Sequence, residues 1–185
     1  MAKTPPATLH GALLDSPERP RCWLMKSEPD TFSIDDLKRV KKTAWEGVRN
    51  YTARNFMRDS MQIGDPVLFY HSNAEPPAVV GLARVASAPY PDASAFDRKS
   101  PYYDEKSKRE APQWMLVDVA FVEKLPAPVP LDRLRGDPAL QGMLVTLKGQ
   151  RLSVQPVARA HFERVATVAG AKRLAALLAS EQAGE

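Results

Sequence analysis

The sequence predicts an α+β domain, a small mixed barrel with short helices at its rim. Three observations lead there. Short apolar runs of strand length alternate with turns rich in proline, glycine and asparagine. Short helical stretches with cap signals stand between those runs. The chain's 185 residues, 44% apolar and 26% charged, suit one soluble domain with a proper core.

Taken in order, residues 1–20 carry four prolines and read as a disordered leader. They lack the basic start and continuous apolar core of a secretion signal. The domain is expected over residues 21–169, with a C-terminal helix and tail over 170–185. Cys22-Trp23-Leu24-Met25 reads as a buried opening strand, which Ser27-Glu28-Pro29-Asp30 breaks. Ser33 and Asp36 form a capping box for a short helix whose apolar face is Ile34, Leu37 and Val40. After the Trp45-Glu46-Gly47 turn, Asn50 is the N-cap of a helix running to about Ser60. On that helix Tyr51, Arg54, Asn55 and Arg58 recur on one side, which is expected to point outward. Ala53, Phe56, Met57 and Met61 occupy the packing side.

Ile63-Gly64-Asp65-Pro66 is a turn, followed by a strand over residues 67–71. A strand over 78–86 is apolar throughout, which suggests burial on both faces. Residues 90–113 form a long polar excursion, and a loop of this length is more often functional than idle. A strong strand is expected over 114–122, short helical turns over 131–143 and a last short strand over 151–154. Pro156 then sits near the first turn of a helix ending around Gly170. Residues 171–180, rich in alanine and leucine, make the C-terminal helix.

Charge is distributed unevenly. Between Lys38 and Arg58 seven cations face only Glu46, while the whole chain's net charge is +4. Arg98, Lys99, Lys106, Lys108 and Arg109 form a second basic cluster. This asymmetry suits a surface that follows phosphates, and solvated helix faces are the alternative.

Much chemistry is excluded or unsupported. No glycine pattern makes a phosphate loop or dinucleotide fingerprint. His10, His71 and His161 are isolated, so no zinc site is expected, and no cofactor is implied. Cys22 is the only cysteine, which rules out an internal disulfide and makes a reducing compartment the default. No apolar run approaches a membrane span. Binding chemistry is better represented. Trp45, Tyr51, Tyr102, Tyr103 and Trp114 lie in or beside polar segments, where rings can stack a base. Trp23 reads as core, and core is also the alternative for Trp45 and Trp114. His71-Ser72-Asn73 ends a strand with three donors or acceptors in a row, as an edge-reading site requires, and a turn in which Ser72 or Asn73 bonds its own backbone is the alternative.

These residues fall into longer motifs. Met25-Lys26-Ser27-Glu28-Pro29-Asp30, Trp45-Glu46-Gly47-Val48-Arg49-Asn50-Tyr51 with Ala53-Arg54-Asn55, and Phe69-Tyr70-His71-Ser72-Asn73 resemble signatures of the EVE domain family. Tyr90-Pro91-Asp92, Phe96-Asp97, Tyr102-Tyr103-Asp104, Pro112-Gln113-Trp114 and Arg151-Leu152-Ser153-Val154-Gln155-Pro156 continue the likeness in order, so it spans about Arg21 to Val168. Thr52 stands where many relatives carry glutamine. The resemblance implies a PUA-like fold and a cleft that accepts a flipped, modified base, with modified cytosine in DNA favoured and a modified RNA base the other candidate. It makes Trp45 and Trp114 wall candidates, and Ser27, Asn50, Ser72, Asn73 and Ser153 edge-reading candidates. Lys26, Arg49, Arg54, Arg58 and Arg151 would contact phosphates or hold loops. For Arg49, Asn50 and Asn55 a scaffold role stays open beside ligand contact.

The expected function is therefore a non-enzymatic reader of DNA or RNA carrying a modified base, acting as a monomer away from membranes. Its place would be the cytoplasm of a bacterium or the nucleus of a eukaryote. A nucleic-acid-processing enzyme and a domain that binds a small planar metabolite are the alternatives.

Overall fold

The computed structural model describes residues 21–182, and the expected leader and extreme tail lie outside them. Six strands form one curled mixed sheet in the order β2-β7-β4-β3-β1-β8. β1 is Cys22–Ser27, β2 Lys42–Ala44, β3 Pro66–His71 and β4 Ala78–Val85. β5 (Tyr90–Pro91) and β6 (Met115–Leu116) make a separate two-stranded pair. β7 runs over Asp118–Pro130 and β8 over Val154–Val157. β1 and β3 are parallel, and every other neighbouring pair in the large sheet is antiparallel.

The strands alternate between two cores because successive side chains leave opposite faces of a strand. Trp23 and Met25 of β1, with Val67 and Phe69 of β3, join one apolar cluster. Cys22, Leu24, Leu68 and Tyr70 join the other. The sheet is thus covered on both sides, which explains the unbroken apolar runs seen in the sequence. The Trp23 indole is fully buried, and its N–H donates to the buried Asp65 carboxylate at 2.9 Å.

Short helices close the two faces. Helix α1 (Ile34–Val40) begins with the expected capping box between Ser33 and Asp36. Helix α2 (Tyr51–Asn55) is capped by Asn50, whose side chain accepts from the Ala53 amide, and continues as a π-helical turn over Phe56–Ser60. Helix α3 is Leu131–Gly136, α4 Arg159–Val168 and α5 Leu174–Gln182. No helix among the described residues is long and apolar enough to cross a membrane.

Several sequence expectations shift. The last strand runs over Val154–Val157 rather than 151–154, and Val40 of α1 is exposed rather than packed. Lys42–Ala44 is a strand, held by pairing with Ala120, Val119 and Asp118, although its own residues carry no strand pattern. β7 extends well past residue 122, because the Pro-rich stretch lies beside β4 as far as Pro130. Pro156 belongs to β8 rather than to the following helix. β8 is an edge strand beside β1, where a missing N–H is tolerated.

Candidate functional site

A cavity of about 730 Å³ opens at the carboxyl ends of the parallel β1/β3 pair. Those two strand ends stay together past their last residues, since the Ser72 amide donates to the Ser27 carbonyl at 3.0 Å. Lys26 and Ser27 enter the cavity from β1, and Glu28, Thr31 and Phe32 from the segment that follows. The segment Thr43 to Arg49 forms a continuous second side. Ser72, Tyr102, Arg151 and Ser153 complete the lining from three separate parts of the chain.

The side made by residues 43–49 is anchored from below and from outside. Trp45 is 7% exposed and meets Phe69 edge to face, with ring centroids 5.5 Å apart. Gly47 has φ of +81°, and a Cβ there would come within 2.6 Å of the Tyr102 ring. Glycine therefore permits both the turn and the close approach of Tyr102, an aromatic wall of the cavity. Arg49 holds the long 90–113 loop against this turn. It pairs with Asp92 at 2.8 Å, donates through Nε to the Tyr102 carbonyl at 2.9 Å and reaches Ser94 Oγ at 3.2 Å.

Asp92 is only 2% exposed, and burial by itself would raise its carboxyl. Hydrogen bonds from Ser94, Arg49 and the Gly47 amide outweigh that and hold it below the usual carboxylate value. Burial also lowers Lys26, whose ammonium donates to the Gln150 carbonyl at 3.1 Å.

Several polar groups in the cavity keep free capacity. Ser27 donates its hydroxyl proton to the Phe32 carbonyl at 2.7 Å, leaving its oxygen able to accept. The hydroxyls of Ser72 and Ser153 and the guanidinium of Arg151 have no partner among the described residues. The same is true of the carboxylates of Glu28 and Glu46. An apolar, aromatic floor with such groups around it can hold a flat heterocycle and hydrogen-bond its edge.

Of the residues singled out in the sequence, Lys26, Ser27, Trp45, Arg49, Ser72, Arg151 and Ser153 come together here. Five stand outside the lining. Asn50 uses its side chain to cap α2, and Asn73 occupies a left-handed turn position with φ of 53°. Trp114 is buried beneath Tyr51, its indole N–H donating to Asp104 at 2.6 Å. Arg54 donates to the Gln113 carbonyl, and Arg58 pairs with its neighbour Asp59 at 2.6 Å. The face of α2 expected to point outward is thus partly occupied by the end of the 90–113 loop. Tyr102 stands out in the sequence as a loop aromatic, but no local spacing ties it to Gly47. Asp92 falls in one of the family motifs, but nothing local marks it as the partner of Arg49, 43 residues away.

The model of the EVE domain matches residues 21–168. The chain belongs to the EVE domain family. This EVE domain is 41% identical to thymocyte nuclear protein 1 of Homo sapiens, in an alignment covering 77% of this chain and 71% of that one. The corresponding Gallus gallus protein is also 41% identical, over 77% of this chain and 66% of its own length. Among solved structures, a Pseudomonas syringae protein superposes with a TM-score of 0.76 at 41% identity, covering 80% of this chain and 98% of that one. The human THYN1 protein, solved in complex with DNA containing 5-methylcytosine, superposes with a TM-score of 0.74 at 40% identity. That match covers 80% of this chain and 96% of the other. The PUA-like α+β fold expected from the motifs is the fold this domain has.

Proposed function

We propose that this EVE domain is a reader that takes a modified base, extruded from DNA, into the cavity at the ends of β1 and β3. The cavity itself carries the reading. Its volume of about 730 Å³ lies within the roughly 300–1,000 Å³ usual for ligand sites. It combines ring surfaces from Phe32, Trp45 and Tyr102 with free hydroxyls from Ser72 and Ser153. The human relative's complex with DNA containing 5-methylcytosine supports DNA and modified cytosine as the first ligand to try. The domain acts as a binder rather than a catalyst, and as a monomer. Its workplace is wherever the DNA is, the cytoplasm in a bacterium or the nucleus in a eukaryote.

In this reading the residues of the cavity divide the work. Trp45 and Tyr102 supply stacking surface, while Ser27, Ser72 and Ser153 meet the base edge. Arg151 and Lys26 sit at the rim, where the phosphates of an extruded nucleotide would pass. Extrusion costs a few kcal/mol, so phosphate contacts must carry much of the affinity and salt must weaken it.

The test is binding of 5-methylcytosine and plain cytosine oligonucleotides to wild type and to Tyr102→Ala. Tyr102 is 38% exposed, so its truncation spares the core. Trp45→Ala is a poorer probe, because removing a buried tryptophan costs about 3–5 kcal/mol of stability. Preference for the modified strand should be present in wild type and lost in Tyr102→Ala. Equal affinity of wild type for both strands, or an unchanged preference in the variant, would sink the pocket assignment.

A further inference from the structure

Outside the cavity lies an exposed, immobilised ring. Tyr51 is 55% exposed, yet it stacks on Trp114 with centroids 4.8 Å apart and planes 17° from parallel. Its hydroxyl donates to Gln113 Oε1 at 3.2 Å. The Arg54 guanidinium lies 4.9 Å from its ring centroid and is itself held by the Gln113 carbonyl. The stack is continuous with the cavity, since Arg49 stands 5.2 Å from the Trp114 ring and 5.6 Å from the Tyr102 ring. Trp114 alone separates Tyr51 from a residue that lines the cavity.

We infer that Tyr51 is a second stacking platform, which takes the base of the nucleotide next to the one held in the cavity. This rests on the reading of the cavity as a base pocket. A flat aromatic face already fixed by a stack and a hydrogen bond loses little freedom when a base lands on it. Base–aromatic stacking accepts any base, because every base offers a π face. Arg54, beside the ring, places a cation where the adjoining phosphate would lie, and the guanidinium strengthens stacking by its charge. The platform therefore adds affinity without sequence preference, and the cavity alone selects the modification.

The probes are the nucleoside 5-methyl-deoxycytidine and a five-nucleotide single strand with 5-methylcytosine at its centre. Wild type, Tyr51→Ala and Tyr51→Phe are each titrated with both. Wild type should bind the strand more tightly than the nucleoside. Tyr51→Ala should lose about 5- to 150-fold on the strand, the range one stacked base spans, and keep its nucleoside affinity. Tyr51→Phe retains the ring and should stay within a few-fold of wild type on both. Replacing the two nucleotides that flank the centre by abasic sites should weaken wild type and leave Tyr51→Ala unchanged.

An equal loss on nucleoside and strand would mean that Tyr51 only supports the cavity through Trp114 and Arg49, which overturns the platform. An unchanged strand affinity in Tyr51→Ala overturns it as well. If wild type binds neither probe, the base-pocket reading falls first and the platform with it. Nucleoside binding by wild type without any gain from the strand defeats the platform alone.

Discussion

Gly47 and Arg49 show how single residues set the shape of the cavity. Gly47 combines a left-handed backbone with a ring pressed against its α-carbon. Gly47→Ala should cost about 1–2 kcal/mol for the backbone alone and push Tyr102 off the wall. Denaturant unfolding would read the first effect, and base binding the second. Arg49 is one member of a pair whose other member, Asp92, is buried. Removing the cation leaves that carboxylate uncompensated, so Arg49→Ala should lose about 3 kcal/mol. Arg49→Lys should recover only part, because an ammonium cannot serve Asp92, Ser94 and the Tyr102 carbonyl as a fork does. Asp92 titrates below its ordinary 3.8, so its contribution is complete above that pH and fades as acid protonates it in the fold. Acid unfolding curves should therefore be less steep below pH 4 in Asp92→Asn than in wild type.

At the level of elements, a side-chain hydrogen bond ties the start of α1 to the end of β3, next to the cavity residue Ser72. The Ile34 amide, at the start of α1, donates to His71 Nε2 at 3.1 Å. That bond needs an unprotonated Nε2. Burial lowers the His71 pKa below 6.5, with Lys124 adding to the effect and Asp35 opposing it. The unfolded chain takes up the proton first, so stability present above pH 6.5 is lost as pH falls below it. His161 shifts in the same direction, so the informative quantity is a difference. Wild type should lose more stability between pH 7.5 and 5.5 than His71→Gln, whose amide oxygen can still accept from Ile34. The protection factor of the Ile34 amide should fall further over the same range in wild type than in His71→Gln. Ser33→Ala removes the cap of the same helix and should cost about 1 kcal/mol at any pH in that window.

Across the whole molecule, β1, β3 and β4 each contribute side chains to both apolar clusters. Neither cluster can come apart without exposing the back of the other. Unfolding should therefore be a single cooperative transition. Tryptophan fluorescence reports on one side through Trp23 and Trp45, and on the stack beneath Tyr51 through Trp114. Far-UV circular dichroism includes α4, whose Phe162 and Val165 belong to the other cluster. The two denaturant curves should coincide, and separated midpoints would show that the two clusters unfold independently.

Elements governed by neighbours along the chain are legible in the sequence alone. The Ser33–Asp36 box, the Asn50 cap, the Ile63–Pro66 turn and the apolar runs of β1, β3 and β4 depend on residues adjacent in the chain. The family motifs are equally legible, since they are runs of adjacent residues. Legibility ends where the deciding contact joins distant segments. Lys42–Ala44 is a strand only because β7 lies beside it, and Trp114 stands outside the cavity lining, stacked with Tyr51. The aromatic wall of the cavity, Tyr102, is held over Gly47 by Arg49, which donates to the Tyr102 carbonyl across 53 residues. Short-range geometry thus determined the apolar strands β1, β3 and β4, the caps and the candidate chemistry of this EVE domain. Which of those groups face one cavity was decided by long-range pairing, which no local periodicity encodes.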